Sequence, residues 1–176
     1  MKTLNLFKSI ALALSCAVLS MTTTPAQAGV LKGHAGTTFL LIPATFDQNG
    51  NPTSFTHTVD GVVRVFEIGN CTFHADVIAV PHPDGSFSLS GTFLITSANG
   101  ATTLNADAVG RVTIDPATPL FGNFHYDVKF TGGTGQMAGV RGSGDVDGFA
   151  MFTSQTTGKA TWLLQGNVNT HGHDRR

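Results

Sequence analysis

From about residue 36 to residue 168, apolar and polar side chains alternate in short runs, each ended by glycine, proline, asparagine or aspartate. Side chains along a strand point to opposite faces with period two, so these runs predict strands with one dry face. Eight runs are legible: 37–42, 62–68, 71–80, 86–97, 102–114, 121–131, 140–152 and 160–168. In the third, Cys71, Phe73, Ala75, Val77 and Ala79 share one face, and His74 and Asp76 take the other. In the fourth, Phe87, Leu89, Phe93 and Ile95 oppose Ser86, Ser88, Ser90 and Thr92. In the sixth, Phe124, Tyr126, Val128 and Phe130 oppose Asn123, His125, Asp127 and Lys129. Between runs, residues 47–52 predict a long mobile loop, and Asn99-Gly100 predicts a two-residue type I′ hairpin turn. The glycine-rich stretch 131–139 predicts a compact corner.

No helical period appears after residue 28. A run of hairpins must hide its two edges, either by closing into a barrel or by stacking as a sandwich. Consecutive short connections favour the barrel, so the expected fold is all-β, an antiparallel meander closed into a roughly eight-stranded barrel. Such a barrel has an interior filled by side chains or just wide enough for one small ligand. Composition agrees. All 21 glycines follow residue 28, Glu67 is the only glutamate, and β-branched and aromatic residues outnumber good helix formers.

The first 28 residues have a different pattern. Lys2 and Lys8 precede an uncharged apolar stretch from Ile10 to Leu19, and Pro25 leads into Ala26-Gln27-Ala28, with small residues where a signal peptidase needs them. The expected organisation is a cleaved export signal at 1–28, a single barrel domain at 29–169 and a polar, disordered tail at 170–176. Cleavage at Ala28/Gly29 places the protein outside the cytoplasm, in the periplasm or beyond it. The apolar stretch is too short to span about 30 Å of hydrocarbon, and Ala13-Leu14-Ser15 is a poor lipidation context for Cys16, so no membrane anchor is expected. Cys71 is then the only cysteine of the exported chain, and reads as a small apolar strand residue. The formal charge is −1, and loss of Lys2 and Lys8 with the signal leaves −3. With no basic run, nucleic acid is excluded as a partner.

Four stretches carry a resemblance: Gly91-Thr92-Phe93, Ser97 to Leu104, Phe130 to Gly144 (with Gly132-Gly133-Thr134-Gly135 and Gly142-Ser143-Gly144) and Gly158 to Gly166. Over about residues 69–168 the chain resembles bacterial exported proteins with an allene-oxide-cyclase-like barrel, and is similar to the dirigent proteins that share it. It departs from their pattern at Ala101, Gln136 and Met137. The resemblance implies the barrel. It brings no catalytic residues, since those of the plant cyclases meet no matching motif here.

Candidate chemistry is sparse. Phe87, Phe93, Phe124, Tyr126, Phe130 and Trp162 share the inward face and would line a ligand cavity, although a filled core has the same spacing. His74-x-Asp76 and His125-x-Asp127 each present a histidine and a carboxylate on one strand face, and would form a two-histidine metal site if adjacent strands joined them. Both pairs face away from the aromatics, so solvated surface is the expectation and no metal is assigned. The spacing of Gly132-Gly133-Thr134-Gly135 fits no phosphate loop, and no cofactor is expected. Arg64, Arg111 and Arg141 are expected to face solvent. Two functions are compatible with this pattern. One is a non-enzymatic binding or structural module with a small apolar ligand as its partner, self-association staying open. The other is a cyclase- or isomerase-like enzyme acting on an apolar substrate inside the barrel. They differ in whether a titratable group meets the cavity wall.

Overall fold

The computed structural model describes residues 27–170, with side chains from 29 to 169. The expected export signal, apart from its last two residues, and the expected tail from His171 onward lie outside the described residues. Eight strands follow in order: β1 (Gln27–Phe46), β2 (Pro52–Val65), β3 (Gly69–Pro81), β4 (Ser86–Ser97), β5 (Thr103–Ile114), β6 (Phe121–Thr134), β7 (Arg141–Phe152) and β8 (Thr157–Thr170). Each pairs antiparallel with the next, and β1 also pairs with β8, which closes the sheet into a barrel. The fold is therefore the expected one, an all-β meander with its edges zipped together. Among the described residues no helix is long and apolar enough to cross a membrane.

β1 and β2 depart from the expected boundaries. β1 is a 20-residue strand, where the large apolar residues marked only 37–42. Its inward positions before Thr37 are Leu31, Gly33 and Ala35, all buried, and two of them are too small to register as an apolar stripe. β2 begins at Pro52 instead of Val62: its inward phase runs through Phe55, His57, Val59 and Gly61, where Val59 is the one aliphatic residue and His57 and Gly61 break the stripe on either side of it. Residues 66–68, read as strand, form the β2–β3 turn, where the Ile68 amide donates to the Val65 carbonyl at 3.1 Å. The expected mobile loop at 47–52 is a tight turn. The Asp47 carboxylate accepts from the Asn49 and Asn51 amides at 2.8 Å each.

The hairpin at Asn99-Gly100 is not the type I′ turn. Among the described residues no non-glycine residue has positive φ, whereas type I′ needs it at both central positions. Instead, Asn99 Oδ1 accepts from the Ser97 hydroxyl and the Ala101 amide, which holds a wider loop, and Gly100 supplies the single left-handed residue at φ 71°. One expected solvent residue is buried. Ser86 is 1% exposed, its hydroxyl donating to Asp84 Oδ1 at 2.6 Å beneath the Arg111 guanidinium, which donates to the same hydroxyl at 2.6 Å.

The interior divides in two along the barrel axis. At the end of the β2–β3, β4–β5 and β6–β7 connections, Leu31, Val65, Ile95, Leu104, Phe130, Val140 and Leu164 are fully buried against one another. The glycine-rich corner closes this end. A 3-10 turn (Gly135–Met137) follows β6, and Met137 and Val140 on either side of Gly139 are buried. The opposite half is not filled.

Candidate functional site

At the end of the β1–β2, β3–β4, β5–β6 and β7–β8 connections the barrel holds a cavity of about 370 Å³. Strand alternation aims one side chain in two at the axis, and here the small residues Ala75, Ala79, Ala108, Ala150 and Ala160 leave the centre open. Phe73, Phe93 and Trp162 lie deepest, nearly inaccessible, with the Phe73 and Trp162 rings 4.8 Å apart edge to face and Phe73 and Phe93 5.6 Å apart. Nearer the mouth, Phe55 and Phe87 form one edge-to-face pair and Phe124 and Tyr126 another. Leu120, Ser154 and Gln155 from two connections reach the rim. The volume falls within the usual range for small-molecule pockets.

Five of the six aromatic residues expected to line a cavity do so: Phe87, Phe93, Phe124, Tyr126 and Trp162. Phe130 does not. It lies in the packed half, fully buried, where a Cβ on Gly166 would come within 2.8 Å of its ring. The strand phase gave its side correctly, but not its height along the barrel.

Among the described residues the wall carries no Asp, Glu, Lys or Arg, and its titratable groups are His57 and Tyr126. His57 was not among the sequence candidates. It projects inward from β2 between its register partners Leu41 and Val77, and its ring meets Phe39 edge-on at 5.4 Å. Both ring nitrogens are buried, and neither has a hydrogen-bond partner among the described residues. Burial in these apolar surroundings pushes its pKa down to about 4, so at neutral pH the ring is uncharged, with one N–H donor and one bare nitrogen. Burial pushes the Tyr126 phenol up, and it too is uncharged. β2 and β6 stand on opposite sides of the eight-stranded ring, so the two polar groups face the cavity from opposite walls.

The exterior pairs behave differently. His74 and Asp76 lie on β3, and His125 and Asp127 on β6, with β4 and β5 between them, so no two-histidine site forms. Each histidine is held by a carboxylate from the adjacent strand. His74 Nδ1 is 2.7 Å from Asp60 Oδ1 on β2, and His125 Nδ1 is 2.7 Å from Asp147 Oδ1 on β7. The hydrogen bond to Asp60 raises the His74 pKa, and that to Asp147 raises the His125 pKa. Ligand atoms of His125, Asp127 and Asp145 lie within 4.8 Å of one another, and all three residues are exposed. Arg64, Arg111 and Arg141 are exposed, with Arg111 paired to Asp84. Cys71 is buried on β3, its thiol pKa raised by desolvation.

No protein-family model and no curated protein matches the chain. A search of solved structures found the pterocarpan synthase dirigent protein, 12% identical, with a TM-score of 0.49 over 87% of this chain and 92% of that one.

Proposed function

We propose that this chain is an exported, non-enzymatic β-barrel that binds one small, largely apolar molecule in the open half of its interior. The observation that carries the proposal is the cavity itself: about 370 Å³, lined by aromatic and small aliphatic side chains, without a charged residue on its wall. Burying an apolar ligand of this size removes its surface from water at about 25 cal/mol per Å², so occupancy needs no further chemistry. Export rests on the signal pattern of residues 1–28. Cleavage before Gly29 would remove only the two outermost β1–β8 rungs, Gln27 with Thr170 and Ala28 with Asn169, and leave the seam closed.

His57 and Tyr126 favour a cyclase- or isomerase-like activity as the second reading, since both are titratable groups on the cavity wall. Against it, neither has a charged neighbour on the wall to set a working pKa near neutrality.

Native mass spectrometry of protein taken from its host's extracytoplasmic fraction tests both. A stoichiometric small molecule that is released unchanged after prolonged incubation supports carriage. A bound molecule converted on the protein to an isomer with a new retention time or spectrum supports the enzyme. A bare mass under every condition contradicts both.

A further inference from the structure

We propose that His57 makes the cavity selective for uncharged ligands that carry a hydroxyl group, the apolar body resting on Phe73, Phe93 and Trp162 and the hydroxyl bonded to the imidazole. The proposal rests on the cavity's being a binding site and adds the chemical class of its occupant.

Three observations converge on it. First, the imidazole nitrogens are the buried side-chain polar atoms that lack a partner among the described residues, and the ring that carries them belongs to a residue lining the cavity. A buried donor or acceptor without a partner is destabilising, and a ligand group that pairs with it recovers the loss. Second, a neutral imidazole offers one donor and one acceptor, and which nitrogen is which depends on the tautomer. A hydroxyl both donates and accepts, so it can pair with either nitrogen in either tautomer. Third, among the described residues the wall has no counter-charge for an ionic ligand. A carboxylate would lose its hydration with no cation in reach, and an ammonium would meet no carboxylate. The edge-on contact with Phe39 and the register neighbours Leu41 and Val77 are apolar, so the immediate surroundings of His57 offer the ligand's polar group no other partner, and the Tyr126 phenol stands on the opposite wall.

Calorimetric titration of the full chain at pH 7.5 with three matched probes tests this: 2-naphthalenemethanol, 2-ethylnaphthalene and 2-naphthoate. The ethyl compound replaces the hydroxyl with a methyl of similar size. The expected result is that the alcohol binds and naphthoate binds at least tenfold more weakly. In His57→Phe the alcohol-to-hydrocarbon affinity ratio falls about tenfold, the worth of one hydrogen bond to a buried group. His57→Gln, which keeps a donor and an acceptor, retains most of that ratio. If the ratio is the same in wild type and His57→Phe, or if naphthoate binds as tightly as the alcohol, the selectivity is refuted while hydrocarbon binding still upholds the cavity. The naphthoate comparison needs no variant, so it decides the matter even if His57→Phe fails to fold. If none of the probes binds, the binding-site reading itself falls and takes the selectivity with it.

Discussion

His57, His74 and His125 share one side-chain chemistry and stand in opposite surroundings, and pH separates them. Burial holds His57 neutral, with its pKa down to about 4 against 6.5 in the unfolded chain. Above 6.5 neither state carries its proton. Between 6.5 and about 4 the unfolded chain takes up a proton that the folded barrel refuses, so His57 lowers stability progressively across that window. His74 and His125 have the reverse sign, because their carboxylate partners raise the folded pKa: the stabilisation is fully present below 6.5 and is lost as pH rises through the raised values. Chemical unfolding at pH 7.5 and pH 4.5 is expected to show wild type losing more stability on acidification than His57→Phe, with the difference up to about 3 kcal/mol. Equal losses would mean that His57 is hydrated in the folded barrel. On the outside, Asp60→Asn is expected to lower the His74 pKa and leave His125 unmoved, and Asp147→Asn to do the converse, as read by NMR titration of the imidazole protons. The exterior histidines were legible from alternation alone, since period two fixes their face. Which carboxylate holds each one was not, because Asp60 and Asp147 come from neighbouring strands and only register brings them close.

At the scale of the strand, register and curvature decide what each position tolerates. Gly91 faces inward on β4, where a Cβ would lie 2.7 Å from Val77 Cα and even nearer the Asp76 carbonyl. Gly144 on β7 would meet Gly166 Cα at the same distance. Backbone approaches this close mark where strands of a small barrel bend sharply, and only hydrogen fits. Gly36 on β1 faces solvent with no atom within 4 Å of such a Cβ. Thermal unfolding is therefore expected to separate two identical changes. Gly91→Ala costs about 2 kcal/mol by overpacking, while Gly36→Ala is neutral or slightly stabilising through the unfolded state. A neutral Gly91→Ala would contradict the pairing of Gly91 with Val77 across β3 and β4. Strand identity was readable wherever large apolar residues alternate, as in Phe87, Leu89, Phe93 and Ile95. It was unreadable through Gly33-Ala35-Thr37, where the inward residues are small or polar, and through Phe55-His57-Val59, where a polar histidine interrupts the apolar face. His57 escaped notice for the same reason. Carrying the odd-numbered phase of Val63 and Val65 back to Phe55 would have found it.

For the whole molecule, closure followed from the sequence because a meander with one dry face has few ways to hide its edges. How the interior is filled did not follow. Alternation states which side chains turn inward, and says nothing about their height along the axis or whether opposing side chains meet. Phe130 and Phe93 look alike in sequence, yet one belongs to the solid half and the other to the cavity floor. The same division separates Ala106 and Ala108, two residues apart on the inward face of β5. Ala106 is 1% exposed in the packed half, and Ala108 lines the cavity. Equilibrium urea unfolding of Ala106→Leu and Ala108→Leu therefore bears most directly on the half-open barrel. The expected result is that Ala106→Leu loses about 1–3 kcal/mol by overpacking, while Ala108→Leu, entering open space, keeps or gains stability. Equal losses at both positions would show the interior to be solid throughout, with no room for a ligand.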